Sequence, residues 1–491
     1  MKKQAVNPYL PCNEYIPDAE PHIFKDRVYI FGSHDRFNGL IFCLNDYVCW
    51  SAPVDDLSDW RYEGVIYKKR QDPKNKSGIH CMYAPDVTQG PDGRYYLFYA
   101  LDFYGLMSVA VCDEPAGNYD FYGHIKFKDG HVWGTRSGEP LPFDPAVFID
   151  DDEKIYLYSG FAVKTPAIAS RMKNLSNPGC VVFELEKDML TIRKGPDLIL
   201  PRKSKNLSKA FAEKDFSGHE FFEASSMRKI DGKYCLIYSS WRNYELCYAL
   251  SDKPNEGFSY SGTLISIGDL GADNSGNCDC EKIAKNYLGN THGSIINIKD
   301  QWYVFYHRQT NRHSYSRQAC AQPLVMKSGG RFLQSEVTSC GLNNAPLQGK
   351  GEYSACIACN LWSKDGAARI DKLFSKIRLR KHPYLTQTGK DGDDKAMQYI
   401  ANMRDGAAAG FKYFDIQDTS RVRIAVSGRC KGCVLVSVTE DFSVIAGKLP
   451  VDAKNTVRNF ESCLDINPGR RALYFKFLGK GYMNFFSFEL S

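Results

Sequence analysis

Five segments of the chain repeat one pattern, and this repeat constrains the fold more than any other feature. They open at Asp18 (DAEPHIFKDRVYIFGS), Ala84 (APDVTQGPDGRYYLFYA), Asp144 (DPAVFIDDDEKIYLYSG), Glu223 (EASSMRKIDGKYCLIYSS) and His292 (HGSIINIKDQWYVFYHR). Each has a leading residue, a short apolar strand, a polar turn with Asp, and a second strand. That second strand carries a tyrosine eleven or twelve places after the leader: Tyr29, Tyr96, Tyr156, Tyr234 and Tyr303. A polar turn between alternating aromatic runs is a hairpin signal. The leaders stand 66, 60, 79 and 69 residues apart, which exceeds the ~40–45 residues of common propeller repeats but leaves room for long loops. Helical periodicity is nearly absent before residue 330. Five hairpins in series predict an all-β, five-bladed β-propeller.

In a propeller the innermost strand of every blade lines the central axis. The repeat therefore brings Asp18, Ala84, Asp144, Glu223 and His292 to one place. Three carboxylates and an imidazole together are costly, because like charges repel and lose hydration. A purely structural axis would be apolar, so the cluster points to catalysis or metal binding. Paired carboxylates suit glycoside hydrolysis, in which one carboxyl stays protonated and the other stays ionised. Glu223 follows Phe221 and Phe222. Desolvation there, with the anions of Asp18 and Asp144, predicts a raised pKa for Glu223.

The rest of the chain narrows the alternatives. A length of 491 residues predicts two domains. The 30 Tyr, 29 Phe and 6 Trp favour β structure and also suit sugar-binding surfaces. Net charge is +6, with no long basic run, so a nucleic-acid partner is not expected. The densest basic stretch, residues 202–209, reads as a solvated loop. The opening MKKQAVNPYLPCNEYIPD has no apolar stretch, so a cytoplasmic protein without membrane association is expected. The 17 cysteines show no framework and are expected to be free thiols, mostly buried. Cys356 with Cys359 and Cys430 with Cys433 form CxxC pairs, but they sit in strand-like text and weigh little as a zinc site. A zinc protease is excluded, because in His219-Glu220-Phe221-Phe222-Glu223 a Glu stands where the second ligating His belongs. Neither a P-loop nor a dinucleotide fingerprint occurs. The rival class is a non-catalytic glycan-binding propeller, which would lack one of the three carboxylates.

With these residues in view, residues 5–345 resemble glycoside hydrolase family 43. The resemblance rests on I-P-D-A-E-P around Asp18, Y-A-P-D at 83–86, F-D-P-A at 143–146, F-F-E-A at 221–224, and H-G-S with F-Y-H-R between His292 and Arg308. It implies an inverting hydrolase. Asp18 would be the general base, Glu223 the general acid and Asp144 the carboxylate that tunes and orients the acid. It further implies that His292 helps hold a central cation, usually calcium, largely through waters. Tyr83 would line the sugar subsite and Arg308 would reach the substrate. The fourth segment reads E-A-S where many relatives have E-G-P, which touches subsite detail. The resemblance implies an α-L-arabinofuranosidase on arabinoxylan-derived oligosaccharides, with β-D-xylosidase or dual activity as the alternative, and the expected cytoplasmic location, which admits only short oligosaccharides, points to exo action.

Residues 324–350 lose the repeat and read as a linker. Domain boundaries of 1–345 and 346–491 are therefore expected. In the second region, short strands at Phe411–Ile416, Val422–Val426, Val434–Val438, Ala472–Phe477 and Met483–Leu490 alternate with Gly and Pro turns. This predicts a β-sandwich of jelly-roll type. Its text G-F-K-Y-F-D-I and G-Y-M-N-F-F-S-F resembles carbohydrate-binding module family 6.

Overall fold

The computed structural model describes residues 3–204, 211, 214–271, 280–371 and 374–491. Residues 205–209 of the basic stretch therefore lie outside the described residues. The chain forms the expected five-bladed propeller, followed by a second β domain.

Each repeat opens one blade. The inner strands are Glu20–Phe24, Met82–Gln89, Ala146–Ile149, Phe221–Ile230 and Ile295–Ile298. Each pairs antiparallel with the tyrosine-bearing strand that follows it. The first, second and fourth blades have four strands; the third gains Lys126–Phe127 as a parallel edge strand, and the fifth has three. Five separate apolar clusters fill the five interfaces between neighbouring blades. Phe31 and Leu97 belong to the first, Phe98 and Leu157 to the second, and Tyr158 and Leu236 to the third. Ile237 and Val304 belong to the fourth, and Val28 and Phe305 to the fifth. The repeated aromatics thus pack between blades, where one blade alone could not bury them.

The ring closes through the N-terminal segment. Ala5, Tyr9, Leu10 and Ile16 join the cluster between the first and fifth blades. The Asn7 side chain donates to the carbonyl of Ala321 at 2.8 Å and accepts from its amide at 2.9 Å. Next to the axis, Ala19 bridges Gly293.

The second domain is one ten-stranded sheet curled around its own core of residues such as Phe411, Phe475 and Phe488. Two pairs of expected short strands merge here into the long strands Arg421–Ser437 and Gly469–Leu490. The intervening glycines do not turn the chain. Gly432 lies opposite Gly479, and a Cβ on Gly432 would stand 2.1 Å from the carbonyl oxygen of Leu478. These glycines allow two backbones to approach closely.

The expectation of free thiols throughout needs correction at one pair. Cys12 and Cys356 form a disulfide, with Cα atoms 7.0 Å apart, which joins the N-terminal segment to the second domain. Sequence spacing gives no sign of a pair separated by 344 positions. Among the described residues, no group of converging potential metal ligands includes a CxxC cysteine.

Candidate active site

The leaders converge as the repeat requires, and each sits where the backbone is irregular. Asp18 and Asp144 adopt left-handed conformations (φ 59° and 46°) just before their inner strands begin. Asp tolerates that region better than most residues. Glu223 lies on a bulge in its strand, with register shifts on either side and Ala224 at φ 69°. His292 precedes Gly293, where a Cβ would stand 1.9 Å from the carbonyl oxygen of Phe305. The leaders thus point into the axial pocket while the following residues pair normally. Ala84 supplies only a methyl group.

Asp18, Asp144, Glu223 and His292 line one cavity of about 260 Å³. Its size lies just below the usual ~300–1,000 Å³ of ligand pockets, which suits a single sugar unit. Tyr83 also lines it and meets Phe103 and Phe143 edge-on at 6.0 and 5.7 Å. Phe143 packs against Phe161, and Phe161 against Phe222, at centroid distances of 4.7 and 5.5 Å. One side of the pocket is therefore an aromatic wall.

The carboxyl groups have unequal surroundings. Burial alone would raise the pKa of Asp18. The Arg317 guanidinium outweighs it, donating to Asp18 Oδ1 at 2.9 Å, together with the imidazoles of His307 and His292. Asp18 is held well below the usual carboxylate range. At Glu223 the pull of Arg317 is the weaker effect. Desolvation, and then the Asp18 anion, push it up to about 8. Burial, Glu223 and Asp18 likewise push Asp144 up, although it accepts the Ala224 amide at 3.0 Å. That bond ties Asp144 to the bulge carrying Glu223. Burial lowers His292 to about 4, so its ring is neutral at neutral pH. It lies 3.6 Å from Asp144 and 4.0 Å from Asp18. Such a site can offer a protonated and an ionised carboxyl to one bound molecule.

Arg317 carries no signal in the sequence, and Arg308 does not stand where the resemblance places it. His307 and Arg308 are adjacent on the strand Gln301–Thr310, so they face opposite ways. His307 faces Asp18, with Nδ1 3.3 Å from its carboxylate. Arg308 faces the second domain. It donates to the carbonyls of Cys356 (2.6 Å) and Ala358 (2.8 Å) and to Gln318 Oε1. It therefore does not reach the pocket, and the substrate-contact expectation is corrected. Arg317 stands on the next strand opposite Gln309, hence on the pocket face. Asp35 fixes it with a bidentate contact at 2.8 and 3.0 Å.

A second polar tier lies two or three residues beyond the leaders. Glu20 accepts from Arg228 at 3.0 Å and Ser226 at 3.1 Å, and Ser226 bonds Ser294 at 2.7 Å. Asp86 contacts His22 at 2.8 Å and accepts the Val147 amide at 2.7 Å. Part of this tier is visible in the repeat, two places beyond the leader, at Glu20, Asp86 and Ser294. Glu20, His22 and Asp86 form one group of converging potential ligands, and Glu20 Oε1 is buried without a hydrogen-bond partner. The carboxylate oxygens of Glu20 and Asp86 are donors of the kind an oxygen-preferring cation takes.

A five-bladed propeller with an aromatic-walled carboxyl cluster on its axis suits a glycoside hydrolase, and comparison with known proteins agrees. Residues 13–332 match the family model described as glycosyl hydrolases family 43, and the chain belongs to that family. It is 48% identical over 493 residues to a xylosidase/arabinosidase of Thermoclostridium stercorarium, covering 100% of this chain and 99% of that one. It is 30% identical over 524 residues to an arabinoxylan arabinofuranohydrolase of Bacillus subtilis (strain 168), covering 95% and 88%. The fold is similar to that of a family 43 enzyme of Xanthomonas citri solved with xylotriose, with a TM-score of 0.52, 24% identity, and coverage of 68% and 94%.

Proposed function

We propose that the protein releases terminal α-L-arabinofuranosyl units from arabinoxylan-derived oligosaccharides with inversion. The observation that carries this reading is that Asp18 and Glu223 line one small pocket with Arg317 bonded to Asp18, and the opposed shifts of the two carboxyls support it. Glu223 donates its proton to the glycosidic oxygen as the C1–O bond breaks. Asp18 takes a proton from the water that attacks C1 from the opposite face. Asp144 holds the bulge that aims Glu223, and Tyr83 packs against the sugar. Arg317 keeps Asp18 ionised. The two relatives, named for arabinose release or for both activities, support this sugar class. The double name also favours a second reading, β-D-xylosyl release at the same site.

A calcium-class cation would be held by His292 and the tier of Glu20 and Asp86. When bound, it would supply a fixed positive charge on the axis. The resemblance of the second domain to a binding module suggests a glycan-binding role. Retention of a Glu223→Gln variant on insoluble xylan tests it.

The reaction itself is tested with p-nitrophenyl α-L-arabinofuranoside and β-D-xyloside, with NMR of the first-formed sugar anomer. Faster arabinoside turnover with an inverted anomer is expected. Retention of configuration would sink the base assignment for Asp18, and faster xyloside turnover would exchange the preferred sugar.

A further inference from the structure

The pocket is not built by the propeller alone. Asp371, from the second domain, lines it beside Asn243 of the fourth blade. The segment carrying Asp371 is stitched onto the propeller. Leu288 donates its amide to Ala368 O at 3.0 Å, and Ile370 donates to Leu288 O at 2.9 Å. Farther back, Leu361 donates to Lys285 O at 2.7 Å. The propeller segment thus covered runs on to Asn290 and His292 in the pocket.

Asp371 is held at the mouth rather than left to swing. Arg369 donates Nε to Asp371 Oδ1 at 3.2 Å and Nη2 to Oδ2 at 2.9 Å. Arg369 also donates to the carbonyl of Arg242 at 3.2 Å. The Asp371 side chain remains 23% exposed, and its oxygens keep lone pairs for further donors. Asn243 Nδ2 lies 3.4 Å from Asp371 Oδ2, while Asn243 Oδ1 is buried without a hydrogen-bond partner. Asp371 therefore offers acceptor oxygens at this rim, and hydroxyl groups suit them.

Asp371 also marks a junction. A second depression of about 340 Å³ shares Ser314, Tyr315 and Asp371 with the pocket and continues past His313 and the exposed ring of Phe374. With the first cavity sized for one sugar, the second depression is where the rest of an oligosaccharide would run. We propose that Asp371 is a substrate-positioning residue contributed by the second domain, accepting hydroxyl hydrogen bonds from the sugar on the leaving-group side of the scissile bond. This rests on the glycosidase reading of the pocket.

The full-length Asp371→Ala and Asp371→Asn variants test it, each checked for an unchanged melting temperature. Two substrates carry the same releasable sugar. One is the p-nitrophenyl glycoside, whose leaving group has no hydroxyls. The other is an arabinose-substituted xylotriose or, if xylose is released, plain xylotriose. In the Ala variant, kcat/KM for the oligosaccharide should fall about tenfold or more beyond any fall for the aryl glycoside, through KM. Asn keeps an acceptor oxygen and should recover part of the loss. Equal effects on the two substrates, or an unchanged KM for the oligosaccharide, would overturn the proposal. Inactivity of the wild-type protein on both substrates would overturn the glycosidase reading, and the proposal with it.

Discussion

At the scale of residues, the site depends on Arg317 being bonded to Asp18, where its pull wins, while at Glu223 burial wins. The guanidinium is buried between Asp18 and Asp35. Removing one partner of a buried ion pair leaves the others uncompensated, at a cost of ~3–5 kcal/mol. Arg317→Met should therefore lower the melting temperature substantially. It should also shift the acid limb of the pH–rate profile upward, because Asp18 loses the charge that holds it ionised. In the wild type, Asp18 has a depressed pKa, so its anion persists above its folded pKa and is lost only at very low pH. Glu223 has the opposite sign. Its acid form is present below about 8 and is lost as pH rises through that value. A profile of kcat/KM against pH should thus fall on the alkaline side near there, and Glu223→Ala should cut turnover of oligosaccharides, whose leaving groups need a proton, by ~10²–10⁴-fold without unfolding the protein. An alkaline limb unchanged by substitution at Glu223 would contradict the assignment.

At the scale of elements, the polar leaders sit at the starts of regular hairpins. The strands were legible from alternation and turn residues, and the leaders from their repeated slot. The left-handed turns at Asp18 and Asp144 and the bulge at Ala224 were not, because local sequence allows a straight strand as readily. Arg308 shows the same limit from another side. A motif names residues but not the face of the strand on which each falls, and one step along the strand separates His307 at Asp18 from Arg308 at the domain interface. Gly293→Ala tests how tightly this geometry is held. Its Cβ would meet the Phe305 carbonyl beside the axis, so overpacking should cost ~1–3 kcal/mol or more. A melting temperature equal to wild type would show that the strand tops yield more easily than their packing implies.

At the scale of the whole molecule, the two β domains share one boundary that sequence could not reveal, since it pairs residues hundreds of positions apart. The Cys12–Cys356 disulfide and the bonds of Arg308 to carbonyls of the second domain all cross it. Lys412 reaches back to Asp269 at 2.6 Å and Glu336 at 2.9 Å. Arg308→Met should therefore destabilise the protein by ~2–4 kcal/mol, by leaving buried carbonyls unpaired, with little change in KM for aryl glycosides. A raised KM at unchanged stability would return Arg308 to the substrate.

The central claim is that Glu223 protonates the leaving group while Asp18 activates water. Glycosides of one sugar with leaving groups of graded acidity, assayed with Glu223→Ala and Asp18→Ala, test it most directly. Loss of the acid should matter greatly for poor leaving groups and little for the most acidic phenols, which depart without a proton. Loss of the base should slow all of them alike. The reverse pattern, or equal sensitivity in both variants, would contradict the assignment of acid and base.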